Sequence, residues 1–537
     1  MPLNHPQIYG SRKPYKKQPV MLKPLSLSLR TLRLYQVCDA APGSVLYLMV
    51  LFSPWAFGTT QPWSIWAMNA AGYFLGLLLA VKWIIRLLTG YRSARWGGGG
   101  SEIQIDSRGQ SSAHSVLTRI LAVLTLVILG YCLTSALNAR STYHREVGAL
   151  VYHPFISWLP HSYDQSSSRL AFWNYLAMAL SFWALRDWFL GKTGAEEQAA
   201  RSRANDAGGR PMPLLPERLQ RLLWVLSVNG GLLGLEAIVQ RMTGTARLLF
   251  FMPTHENPQA IAQFGPFAYR STAAQYFNLL WPVSLGLWWS LERAARRGWC
   301  DSRAFGLRSR HLILACAMLM AACPIISASR VGAVVAVINL AVAAAVLWSA
   351  QHREDRKTRA GIVVAVALVL GFSAWAGWDK LGPRFENGEF EAGLEGRNSI
   401  YDMARPMAAD CPLFGTGPGT FEPLFQLYRP DPEEYWPAQL HNDWLETLIT
   451  FGWLGTALIL MALCVVLFHW FVARGIHAKP SLAALFWAAL GGCLFYARYD
   501  FPFQVYSVLF LFLLLCAALF SLSHLGSQTR RFKWSGR

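Results

Sequence analysis

His441 opens the run His441-Asn442-Asp443-Trp444-Leu445-Glu446, and the apolar stretch 447–470 behind it is long enough to cross a bilayer. An imidazole can take or give a proton near neutral pH. Ionisable groups at membrane depth are costly and usually have a task. Just ahead of this run lies a polar stretch with Arg397, the turn Gly415-Thr416-Gly417-Pro418-Gly419 and Tyr428-Arg429-Pro430. Further charges sit at the matching ends of other apolar runs. Glu236 and Arg241 end one, Arg270 precedes the next, Arg330 lies in Ser327-Ala328-Ser329-Arg330-Val331-Gly332, and Arg498 and Asp500 close another. Arginine forks bind phosphate oxygens in a bidentate way. The expected chemistry is therefore proton transfer beside an anionic ligand in the outer leaflet, such as a lipid pyrophosphate. Snorkelling accounts for one such arginine better than for four or five together. Glu236 is expected to pair with one of the arginines and Arg498 with Asp500, and such pairs suit a structural role as well as a functional one.

Asp443 and Glu446 have the spacing of a capping box ahead of an apolar run, with Asp443 as the N-cap. Capping by Asp443 would leave His441 free just before the helix, able to take a proton.

These residues must be held by membrane helices. The chain has 537 residues, 53% hydrophobic and only 15% charged, too little charge for a soluble protein of this length. Apolar runs of bilayer length recur throughout, so the fold class is an all-α polytopic membrane protein. About 12 transmembrane helices are expected, at roughly 44–60, 63–88, 116–137, 169–190, 219–241, 272–292, 311–328, 331–350, 360–378, 444–470, 481–499 and 504–522. Residues 1–43 read as a basic cytoplasmic tail, 44–522 as the membrane domain and 523–537 as a second basic cytoplasmic tail. The first 43 residues lack the apolar core and cleavage site of a signal peptide, so the first helix is expected to stay as an anchor. Both termini are basic, and an even span count puts them on one side, the inside.

The connections 89–115, 191–218, 293–310, 351–359 and 471–480 then fall inside. The connections 138–168, 242–271 and 379–443 fall outside. The last is a large, acidic periplasmic loop before the tenth helix. Gly97–Gly100 and the stretch 194–210 read as flexible inner linkers. Lys82, Arg86, Arg186 and Asp187 lie at inner helix ends, where they can snorkel to the interface.

Other function classes find little support. The net charge of +19 follows from the positive-inside rule, so nucleic acid is not expected as a partner. The nine cysteines form no C-x-x-C pair, which argues against a zinc site or a disulfide framework. The glycine-rich turn at 415–419 lacks the Lys-Ser/Thr of a phosphate-binding P-loop. Asp431, Glu433 and Glu434 read as an exposed acidic run, and His144, His153 and His161 lack metal-ligand spacing. No cofactor is expected. Inverted repeats, which mark many transporters, are not evident.

Four pieces, in this order, resemble the bacterial O-antigen ligase/polymerase superfamily. They are Ser329-Arg330-Val331-Gly332, then Gly396-Arg397-Asn398-Ser399-Ile400-Tyr401, then Pro412-Leu413-Phe414-Gly415-Thr416-Gly417, and then His441 to Glu446 with Gly452-Trp453-Leu454-Gly455. The resemblance is specific over about 265–460. Val331 departs from it, since many members carry a second small residue there. Arg270, in Tyr269-Arg270-Ser271, is a looser match. The resemblance implies a glycosyltransferase of the bacterial inner membrane with a periplasmic site. It would take glycan from undecaprenyl pyrophosphate to lipid A-core, to another lipid-linked repeat or to a protein, in the assembly of lipopolysaccharide or exopolysaccharide. It makes His441 the catalytic base and Arg270, Arg330 and Arg397 the pyrophosphate-binding residues, with Asp443, Glu446, Glu236 and Arg498 in support. An inverting, metal-independent transfer is expected. O-antigen ligase, O-antigen polymerase and protein O-oligosaccharyltransferase stay open as alternatives, as does a lipid-linked glycan transporter or flippase.

Overall fold

The computed structural model describes residues 28–91, 93–96, 110–144, 146–198, 215–254, 259–296, 307–350, 356–430, 438–472 and 480–525. Long helices follow one another as α1 (Leu29–Trp55), α2 (Pro62–Thr89), α3 (Gln110–Leu137), α4 (Gln165–Leu190), α5 (Glu217–Thr243), α6 (Arg270–Arg296), α7 (Leu307–Ile326), α8 (Arg330–Ser349), α9 (Arg356–Leu381), α10 (Asn387–Asp410), α11 (Asp443–Val472), α12 (Pro480–Tyr496) and α13 (Tyr506–Leu525). Each of the twelve expected spans falls on one of them. Among the described residues, eight helices are long and apolar enough to cross a membrane: α1, α2, α3, α5, α8, α9, α11 and α13. The apolar parts of α7 and α12 are shorter.

The first helix starts at Leu29 rather than near 44. Residues 29–43 read as part of a basic tail, yet Pro42 lies within α1 and Asp39 bonds Lys82 of α2 (2.5 Å) and Arg218 of α5. Nor do Lys82 and Arg86 snorkel as isolated charges. Lys82 is 2% exposed and also meets Asp187 at 2.7 Å, while Arg86 meets Asp187 at 2.9 Å and Arg95 joins the same carboxylate. A buried charge needs partners that water would otherwise supply. Arg186, one residue before Asp187, lies over the Trp183 and Phe520 rings.

The connection 379–443 is also more ordered than a loop. It contains α10, a short helix at Phe421–Phe425, and the glycine-rich turn. Phe421, Leu424 and Phe425 pack with Tyr401, Ala404 and Met407 of α10 and with Leu440 and Ile449 beside His441, a small core of its own. Asp431, Glu433, Glu434 and Gly97–Gly100 lie outside the described residues. In the connection 138–168, Ser141–His144 pairs antiparallel with Ala149–Tyr152.

The turn at 415–419 has a structural task. α11 breaks at Gly452, whose φ of 59° and ψ of −172° are open to glycine and strained for other residues. Carbonyls freed near the break are taken up by the turn. Thr416 N–H donates to Ile449 O (2.8 Å) and Gly417 N–H to Thr450 O (2.9 Å). Beyond it, Trp453 N–H donates to Pro412 O (2.8 Å) and Leu454 N–H to Leu413 O (3.2 Å). A broken helix is tolerated in a membrane protein where other protein satisfies its backbone. Tyr131 of α3 braces the same place, its one hydroxyl proton shared between Phe414 O (2.6 Å) and Phe451 O (2.9 Å).

Candidate active site

Four helix ends meet around His441: the starts of α6, α8 and α11 and the end of α12. Their joint is a buried polar network. Asp500, just past α12, accepts from Ser271 of α6 and lies 3.1 Å from His441 Nδ1. Ser271 Oγ is 2.6 Å from the Tyr496 hydroxyl and 3.3 Å from Ser329 Oγ, and Ser329 Oγ is 2.7 Å from that hydroxyl. Ser329 also caps α8 by accepting Gly332 N–H (3.2 Å). The network thus touches the residue after Arg270, the residue before Arg330, and His441 itself. Gly332 makes this crossing possible, because a Cβ there would lie 2.5 Å from Ala274 Cβ on α6.

The His441 side chain is 26% exposed and that of Asp500 only 2%. An ionised carboxylate only accepts, so its bond to Nδ1 puts the proton there and leaves Nε2 as the basic nitrogen. The ring stands edge-on to Phe501 (4.8 Å between centroids) and Tyr269 (6.1 Å), which stack on each other at 5.5 Å. The backbone of His441 is left-handed, with φ of 58°, a strained setting for a non-glycine residue. Tyr401 of α10 holds it there by donating to His441 O (2.8 Å).

The capping expectation needs correction. Asn442, not Asp443, caps α11, accepting Leu445 N–H at 3.3 Å. Asp443 instead accepts Phe503 N–H (2.7 Å) and Gln504 Nε2–H (3.3 Å), tying α11 to the segment before α13. Glu446 reaches back to Leu440 N–H (2.8 Å). Both carboxylates are therefore scaffolding, and His441 is paired rather than free.

Arg397 projects from α10 toward the same place. Burial opposes its charge, but Asp500, with Tyr269, Tyr401 and Tyr496, holds its guanidinium above the usual value. Burial pushes the Tyr269 phenol up to about 12, with Asp500 adding to it, so it stays a neutral wall. Arg270 donates to Ile261 O (2.9 Å) and Arg330 to Arg384 O (3.4 Å).

Other expected pairs do not form. Arg498 lies over the Tyr401 and Tyr499 rings rather than on Asp500, whose oxygens face His441 and Ser271. Neither Glu236 oxygen has a hydrogen-bond partner among the described residues. Arg241 is engaged by the carbonyls of Ala260 (3.2 Å), Gln263 (2.7 Å) and Ser327 (3.2 Å), so it braces the connection before α6.

Ser271, Ser329 and Tyr496 are polar residues that the sequence left without a role, and Asp500 was read only as a partner for Arg498. The serines did carry a signal, since each adjoins a singled-out arginine.

No curated protein matches the chain. Residues 315–460 match the O-antigen ligase family model, a stretch that takes in Arg330, Arg397, the 415–419 turn and His441 and leaves out Arg270 and Asp500. Over residues 315–460 the chain is thus similar to the O-antigen ligase family, and this supports an O-antigen ligase-type, glycosyltransferase-like function in general.

Proposed function

We propose that this protein transfers a glycan from an undecaprenyl-pyrophosphate donor to an acceptor hydroxyl at the periplasmic face of the bacterial inner membrane. The observation that carries the reading is the His441–Asp500 pair, joined by one hydroxyl network to the helix starts that bear Arg270 and Arg330. Asp500 orients His441, and His441 Nε2 takes the acceptor's hydroxyl proton. The acceptor oxygen bonds to the anomeric carbon as the bond from that carbon to the phosphate oxygen breaks. The leaving pyrophosphate keeps the electron pair, and Arg270 and Arg330 stabilise its growing charge. Arg397 closes over the phosphates or the acceptor from α10. A single displacement inverts the anomeric centre. The arginines take the place of a metal ion.

A transporter would hold its charged groups near the bilayer midplane, between repeats. Here those facing His441 gather at helix ends, which favours transfer. The acceptor is lipid A-core, a second lipid-linked glycan or a protein.

The test is an assay of purified wild type and His441→Ala with undecaprenyl-pyrophosphate-linked glycan and each acceptor class. Released undecaprenyl pyrophosphate, with sugar on one acceptor and loss of both in the folded mutant, is expected. Full turnover by the mutant removes His441 as the base. No turnover by wild type with any acceptor overturns the reading.

A further inference from the structure

α9 lies at the edge of the bundle: only 17% of its most apolar stretch is buried. Between it and α7 and α8 lie two cavities, one above the other. The outer, of about 460 Å³, is lined by Val334, Val337 and Ile338 of α8, by Trp378 and Leu381 at the end of α9 and by Phe385 in the turn after it. The inner, of about 350 Å³, lies farther along the same helices, beside Leu340 and Leu347 of α8 and Ile362 and Val366 of α9, with Trp288 and Arg296 of α6 also in its wall. Ser373, in the outer wall, turns its hydroxyl back to Val369 O at 2.7 Å, so it offers the space no free donor. Arg330, three residues before the lining residue Ala333, and Arg384, next to the lining residue Phe385, stand at the outer end of this space, where Arg384 donates to Ala328 O at 3.1 Å.

We propose that this trough seats the polyisoprenoid chain of the lipid-linked donor, with its pyrophosphate at the arginine-rimmed mouth. The assignment rests on the donor named above. Arg296, in the lining of the inner cavity, is ion-paired to Glu292 at 2.9 Å, and Arg330 and Arg384 at the outer end match an anionic head on an apolar tail. Length separates the occupants. From Ala333 to Leu347 the trough follows α8 for about 21 Å at 1.5 Å per residue. One leaflet is about half of a hydrocarbon core of roughly 30 Å. A phospholipid acyl chain fills only the outer part, whereas a long isoprenoid fills both cavities.

The test uses the full chain in lipid nanodiscs and undecaprenyl pyrophosphate without glycan, carrying a diazirine midway along its chain. Adducts are expected on 333–347 and 362–385 and should be displaced by unlabelled undecaprenyl pyrophosphate but not by added phospholipid. Val337→Trp and Ala344→Trp, substitutions that fill each cavity from half-buried or exposed positions, should each cut labelling at least tenfold. They should also raise KM for the long-chain donor at least tenfold relative to a donor on a short prenyl chain. Adducts elsewhere, labelling that phospholipid displaces, adducts between two copies of the chain, or unchanged labelling in both variants overturn the trough. Labelling needs no transfer, so His441→Ala should keep it. Trough labelling in a wild type that transfers nothing sinks the transfer reading alone. Transfer with adducts elsewhere sinks the trough alone.

Discussion

Asp500 decides which nitrogen of His441 can act. In Asp500→Asn the amide can donate to Nδ1, which favours the tautomer with its proton on Nε2 and blocks the base. Turnover should fall by roughly 10²–10⁴, the usual worth of a positioned general base, with the donor KM nearly unchanged. A loss seen mainly in KM would instead make Asp500 part of donor binding. Tyr401→Phe removes the bond that holds the strained His441 backbone. At about 1 kcal/mol for such a bond, kcat should drop by roughly fivefold, read in the same assay. His441 and Arg330 stood out in the sequence because charge is conspicuous beside apolar runs, and Arg397 because its run resembles the family. Asp500 was hidden by its neighbour. Arg498 two residues away offered a nearby partner, and nothing in one dimension shows that the end of α12 meets the start of α11. Ser271, Ser329 and Tyr496 were hidden because hydroxyls are common in membrane helices and gain meaning only when they converge.

α11 shows how an element can be legible in extent and opaque in form. Hydropathy located it, but the break at Gly452 needs knowledge of its partner segment at 412–417. From Trp453 to Val472 the second piece is about 30 Å long, enough by itself to cross a hydrocarbon core of roughly 30 Å. The first piece, Asp443–Phe451, is thus free to present His441 beyond the core. Gly452→Ala should disrupt this arrangement. The added Cβ would run into Leu413 O and Gly415 N, in a backbone region closed to alanine. The strain is about 1–3 kcal/mol before the clash is counted. The expected result is a lower melting temperature of the detergent-solubilised protein and a loss of transfer that cooling does not fully restore. A variant with wild-type melting and wild-type turnover would show that α11 can close the break. α10 was missed for a related reason: its run of glycines, acids and Pro406 reads as loop, and only packing against the 421–425 helix and Leu440 makes it a helix.

Across the whole molecule, the two ends of the bundle divide the work. Tyr131 and Ser168 lie at the end that bears the 415–419 turn. Asp187, at the far end of α4, belongs to the opposite face, where Asp39 and Asp187 bind Lys82, Arg86, Arg95 and Arg218 from α1, α2, α4, α5 and the segment after α2. The positive excess there explains why charge counting identified a basic face but not a lock: four cations share two carboxylates, and the chain segments they join are far apart in sequence. Removing one member strands the others in a buried place. Lys82→Ala should therefore cost about 3–5 kcal/mol, seen as a large fall in melting temperature and in folded yield. Lys82→Met combined with Asp187→Leu removes a cation and a carboxylate together, but it leaves Arg86 and Arg95 without their carboxylate, so it should be no more stable than Lys82→Ala. Lys82→Met with Asp39→Leu leaves Asp187 on Arg86 and Arg95 and strands only Arg218, and it should recover part of the loss. In all three variants the fraction that folds should transfer glycan at the wild-type rate per molecule, because His441 and its partners lie at the other end. A folded Lys82 variant with normal melting but impaired turnover would contradict this division and tie the two faces together through α2 and α4.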